Sequence, residues 1–139
     1  MRRFFRYVLL GYAWLFLAAI VIQVYFAGLM LFGQGDGKSL HLGTGYMLAF
    51  AGLLFLALPA LARAGARTVL LGVVLSVITF FQPTITYARE ESPVIAALHP
   101  VNALLIFALS VLMIRRATQL VREERASASQ TGLSETPTT

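Results

Sequence analysis

Two histidines are the residues in this chain best suited to chemistry: His41 in HLGTGYML and His99 in LHPVNALLI. Both lie in long apolar runs, where an ionisable side chain is costly and marks function by default. Imidazole is a good iron ligand and a common axial ligand of haem, and helix bundles house such cofactors in their cores. Two imidazoles facing each other across a bundle would supply the nitrogens above and below one haem iron. His41 and His99 are therefore the candidate metal ligands, and haem b is the candidate cofactor. A two-histidine site with no carboxylate or thiolate beside it is a poor site for zinc. The sequence has no cysteine at all, which removes disulfides and thiolate metal sites together.

Helical spacing gives each histidine a set of companions. His41, Gly45, Leu48 and Gly52 fall on one face at steps of four, three and four, and His99, Asn102, Ala103, Ile106 and Ser110 share another. Gly72, Ser76, Thr79, Gln82 and Thr86 form a third stripe, and Gln23 lies beside Ala19 and Ala27 in a fourth segment. Gly45 and Gly52 are expected to let a flat porphyrin approach the backbone. Asn102 and Gln82 are expected to orient an imidazole N–H, as groups behind metal-bound histidines do. Glycines and amides at such positions also serve plain helix packing in membranes. A proton- or quinone-handling pair, or two structural histidines, are the competing readings.

The elements that must position these residues are membrane spans. The 139 residues are 58% hydrophobic and 12% charged, against about 25% charged in soluble domains. Four runs, about 4–32, 40–62, 68–87 and 94–114, are near the roughly 20 apolar residues needed to cross a bilayer. The fold expected is all-α: one integral-membrane antiparallel four-helix bundle over 1–118, with a flexible cytoplasmic tail over 119–139. Arg2, Arg3 and Arg6 precede the first run, Arg63 and Arg67 separate the second from the third, and Arg115, Arg116, Arg122 and Arg125 follow the fourth. This placement puts both termini in the cytoplasm and accounts for the net charge of +5 without nucleic acid as a partner. The first apolar run is too long for a secretory signal and is read as a retained span.

Local signals refine the picture. The stretch GQGDGKS is a loop by its glycines, with Ser39 a candidate helix cap. Ser92 and Pro93 suit a helix start, and Pro83 and Pro100 should each interrupt a helix. One difficulty concerns depth. His41 precedes Arg63 by 22 residues and His99 precedes Arg115 by 16, roughly 33 Å and 24 Å along ideal helices. Tilt, the helix end near Pro59 or a kink at Pro100 must close that gap if the histidines are to meet. No internal repeat stands out.

The segments HLGTGYMLAF, FFQP and LHPVNALLIFALSVLMIRRA resemble those of a family of small uncharacterised four-span bacterial membrane proteins. The resemblance covers nearly the whole chain except the tail, and HPVNALLI is its most specific part. It implies a multi-pass protein of the bacterial cytoplasmic (inner) membrane. The architecture is also similar to membrane b-type cytochromes and to half of the haem A synthase bundle, which place paired histidines near one membrane face. That similarity implies His41 and His99 as axial ligands. The chain lacks the synthase's duplicated half and catalytic acid, so haem synthesis is not implied. The expected function is electron transfer by a bis-histidine haem near the external face, with a quinone or an external redox protein as partner. The alternative is a non-enzymatic accessory subunit of a larger membrane complex or homo-oligomer, its histidines structural or ligating a pigment. No hydrolase nucleophile, phosphate loop or dinucleotide fingerprint is present.

Overall fold

The computed structural model describes residues 1–33 and 35–134, and every regular element among them is helical. Helix α1 spans Arg2–Leu31. Helix α2, Gly37–Gly52, runs into a 3-10 turn at Leu53–Leu56 and a short α3, Leu58–Leu61. Helix α4 spans Ala66–Phe81 and is followed by a 3-10 segment, Thr84–Arg89. A four-residue α5, Pro93–Ala96, leads into α6, Leu98–Ser134. Three stretches are long and apolar enough to cross a membrane: Arg2–Leu31, Gly37–Leu61 and Pro93–Gln130. The third expected run, 68–87, has a shorter α-helix than its hydropathy suggested. The sixteen residues of α4 rise roughly 24 Å, and Pro83 stops them because it lacks an N–H and crowds the preceding turn.

Proline explains the other breaks as well. Pro100 has no N–H to offer the carbonyl of Ala96, and α5 ends at Ala96, with α6 starting afresh at Leu98. Pro93 occupies the first turn of α5 behind Ser92, although the Ser92 side chain makes no capping bond. Pro59 cannot donate to the carbonyl of Phe55, and the helix loosens to 3-10 geometry just before it. Gly72 of α4 uses that irregularity. A Cβ on Gly72 would stand 2.4 Å from Phe55 O and 3.0 Å from Pro59 Cγ, so the two backbones touch only because residue 72 has no side chain. The first turn of α2 is equally tight. A Cβ on Gly37 would lie 2.5 Å from Met30 N. The helix begins at Gly37 with Asp36 as its cap residue, three residues earlier than the Ser39 cap expected from sequence.

Helix α1 packs against α2 and α6, and α4 packs against α2, its 3-10 turn and α6. The core follows helical steps. Leu9, Ala13, Phe16 and Ile20 of α1 are buried, as are Ile106, Ser110, Met113, Ala117 and Val121 of α6. Phe55 meets Phe16 edge-on, with ring centres 5.1 Å apart. Buried hydroxyls are satisfied at short range: Ser76 Oγ donates to Gly52 O at 2.8 Å and Ser110 Oγ to Ile106 O at 2.7 Å. The outward faces are apolar too. Leu104 is 72% and Leu70 63% exposed, a contiguous greasy surface of the kind soluble monomers avoid.

Helix α6 does not stop where its apolar run ends. The segment from 119, expected as a flexible tail, is helical to Ser134, and residues 135–139 lie outside the described residues. The reason is visible in the stripe: Leu120 and Val121 continue it and pack toward α1. Beyond them Glu124 accepts from Arg6 at 2.8 Å and pairs with Arg2 at 3.2 Å, while Arg6 also donates to Leu120 O at 3.0 Å. The Arg6 and Glu124 side chains are only 11% and 16% exposed. Glu124→Ala should therefore lower stability by about 1–3 kcal/mol, the cost of leaving a buried donor unmatched. Thermal unfolding of the detergent-solubilised protein, followed by circular dichroism, would measure it.

Candidate metal centre

His41 lies in the second turn of α2 and His99 is the second residue of α6. These two helices are not packed neighbours, yet their imidazoles converge across the space between them, with ring centres 6.2 Å apart and planes inclined at 69°. The depth gap read from the sequence is thus absent. It came from taking Arg115 as the end of the fourth helix. The contacts of Arg6 with Leu120 and Glu124 place the end of the packed region well past Arg115.

Each ring is fixed by a glutamine on an adjacent helix. His99 Nδ1 lies 3.1 Å from Gln82 O, and Gln82 Nε2 donates back to His99 O at 2.8 Å. His41 Nδ1 lies 3.2 Å from Gln23 O, and Gln23 Nε2 donates to His41 O at 2.7 Å. A carbonyl oxygen can only accept, so the contact with Gln82 O assigns the proton of His99 to Nδ1, and the contact with Gln23 O favours the same tautomer at His41. Gln23 Nε2 also comes within 3.1 Å of His41 Nδ1. With Nδ1 protonated that approach is a contact rather than a hydrogen bond, and the amide hydrogen goes to His41 O. The glutamine carbonyl oxygens are held in turn: Gln23 Oε1 accepts from Thr44 Oγ1, and Gln82 Oε1 from Asn102 Nδ2. Asn102 spends its second amide hydrogen on Ile78 O at 3.0 Å.

The site residues expected from sequence therefore divide. His99, Gln82 and Asn102 come together in one hydrogen-bond network, and His41 faces it from a second network with Gln23 and Thr44. Gln82 supports His99 through its backbone carbonyl, and Asn102 acts one step further back, on Gln82. Gly45 and Gly52 are occupied otherwise than by a porphyrin face. A Cβ on Gly45 would stand 2.9 Å from Gln23 Nε2, so its bare Cα makes room for the glutamine that holds His41. A Cβ on Gly52 would stand 3.1 Å from the Thr79 side chain, so Gly52 lets α2 close on α4. Gln23 and Thr44 are the members of the second network that sequence reasoning did not assign to the site.

The donor set defines what the pair can hold. Among the described residues no group of three or more His, Cys, Asp or Glu side chains converges as a metal site, so the two imidazoles would need a ligand that brings its own equatorial donors. A porphyrin brings four nitrogens. A metal–imidazole bond of about 2.0–2.1 Å on each side would put two ring centres about 6.3 Å apart, and the 6.2 Å edge-on pair is also at the spacing of an ordinary ring contact. No family model, curated protein or solved structure matches the chain.

Proposed function

We propose that the protein is a b-type haem-binding membrane protein, an electron-transfer component in which His41 and His99 are the two axial ligands. The observation that carries this reading is the 6.2 Å separation of two imidazoles whose Nδ1 atoms are both engaged by backbone carbonyls. Two histidines with no third protein donor are a weak site for a bare ion but a complete axial set for a metal that arrives already held in a plane. The haem, when bound, supplies one-electron chemistry. The chain's residues supply the rest: the histidines bind, and the Gln23 and Gln82 backbones fix the ring orientation. The glutamine amides brace the histidine backbones. Filling both axial positions with imidazole leaves no open position for a substrate, which suits an electron carrier rather than an enzyme.

The same reading includes the topology. Four helices cross the bacterial cytoplasmic membrane as an antiparallel bundle, with the short α4 extended by its 3-10 segment. Both termini are cytoplasmic, as the arginine placement favours, and the histidine pair lies toward the external side. A quinone or an external redox protein exchanges electrons there. Membership of the small four-span family rests on the HPVNALLI-type segment and is part of this proposal.

An absorption spectrum tests it. The detergent-solubilised protein, expressed with haem supply, should show a Soret band that shifts and a sharp α-band that appears on reduction. Pyridine extraction should identify haem b. A protein that stays colourless after reconstitution with hemin overturns the reading. If it also purifies only together with other membrane chains, the accessory-subunit alternative takes its place.

A further inference from the structure

The contacts around His41 and those around His99 are the same contacts. In each half of the molecule a glutamine from one helix donates its amide to the backbone carbonyl of a histidine that follows it by 18 or 17 residues. In each, that histidine's Nδ1 returns a bond to the glutamine's own backbone carbonyl. In each, the residue three places after the histidine, Thr44 or Asn102, has its donor group against the glutamine's Oε1, the single Thr44 hydroxyl hydrogen being shared with Leu40 O. The equivalence extends along the helices. Four places after the histidine stand Gly45 and Ala103, both small. Seven places after stand Leu48 and Ile106, and eleven places after stand Gly52 and Ser110. The sequence shows no obvious repeat because chiefly size and polarity are kept; beyond the histidine and the glutamine, identities are few, Leu40 with Leu98 and Leu54 with Leu112 among them.

We infer that the site is built from two copies of one half-site, α1 with α2 and α4 with α6, in which Gln23 and Gln82 are equivalent positioning residues. Each glutamine fixes its histidine as the Nδ1–H tautomer and leaves Nε2 for a ligand shared on the axis between the halves. Helix pairs related by an axis along the membrane normal are a known route to a binding site at the repeat interface. The glutamine acts through geometry. Its amide ties the histidine backbone to its own helix, and that tie holds the carbonyl within reach of Nδ1. Equivalent half-sites predict equivalent effects, which a purely local packing role does not. The identity of the shared ligand rests on the haem reading; the tautomers and the equivalence do not.

The test uses full-length protein labelled with 15N-histidine. The chain has two histidines, so His41→Gln and His99→Gln reference samples assign both signals. The spectra are taken on haem-free protein, because a ring whose Nε2 holds a metal is the Nδ1–H form whatever the glutamine does. Wild-type protein should show both rings as the single Nδ1–H form. Gln23→Leu should turn His41 into a tautomer mixture and leave His99 unchanged, and Gln82→Leu should do the reverse. The exchange variant Thr44→Asn with Asn102→Thr should keep both rings in the single form. An Nε2–H ring in wild type overturns the inference, as does a glutamine variant that moves both rings or neither. If the leucine variants fail to fold, the wild-type tautomers and the exchange variant still decide it. Single-form rings in a protein that never takes up haem would sink the haem reading and leave the half-sites standing. A protein that takes up hemin yet shows Nε2–H rings in its haem-free form would do the opposite.

Discussion

On the proposed bis-histidine reading, His99→Ala and His41→Ala should each abolish hemin binding, and to the same extent. Each removes one of two axial donors, and no third donor stands by: no His, Cys, Asp or Glu cluster of three converges anywhere among the described residues. Changes to groups behind a metal ligand already weaken binding about 10–100-fold, so loss of a ligand itself should exceed about 100-fold in hemin affinity. Hemin titration of the two variants, followed at the Soret band, measures it. The fold should survive, because each ring contributes one neutral hydrogen bond of about 0.5–1.5 kcal/mol while the glutamine amide still ties the backbones together. An unchanged far-ultraviolet dichroism spectrum would separate lost ligation from lost structure. Retention of hemin by either variant would place the iron elsewhere.

Gly72→Ala should be the most damaging single-methyl change in the protein. The added carbon would stand 2.4 Å from Phe55 O, a main-chain atom that cannot swing aside as a flexible side chain would. Helix α4 would have to retreat from the 3-10 turn before Pro59, loosening the layer that contains Phe55, Leu75 and Phe16. Overpacking of this kind costs typically about 1–3 kcal/mol and occasionally more, and the upper end is expected here. Gly11→Ala is the matched control. A Cβ there meets nothing within 4 Å, so the change should be neutral or stabilise by up to about 1 kcal/mol through helix propensity. Thermal unfolding of both variants in the same detergent compares them directly.

Much of this arrangement was legible in the chain, and the reasons are local. Proline effects are chemical and need no tertiary context, so the ends of α4 and α5 followed from Pro83 and Pro100. Apolar runs report the solvent they meet, so α1 and α6 were visible, although the third run misled because hydropathy continues past the proline that ends the helix. The convergence of His41 and His99 followed from two helices entering from one side. The partner of His41 was harder to see. Gln23 lies on another helix, and its bond to His41 depends on Gly45 being bare, a relation between three residues on two elements that no single-helix stripe displays. Gly45 and Gly52 were misassigned for the same reason. A glycine marks a close approach, and the sequence does not say what approaches. The helical extension past residue 118 was hidden by a polar composition that outweighed two apolar residues and a charged pair.

The restart of α6 at Leu98 has an electrical effect on the centre. It brings His99 to the opening turn of a helix, and His41 is only five residues into its own. The first N–H groups of a helix lack acceptors and concentrate partial positive charge there, so two such ends stand beside the rings, opposed at His99 by the carbonyl of Gln82 that ends α4. A trivalent iron is less comfortable in that field than a divalent one. For a haem held as proposed, the two helix starts would favour the ferrous state, and the carbonyl end of α4 would oppose them.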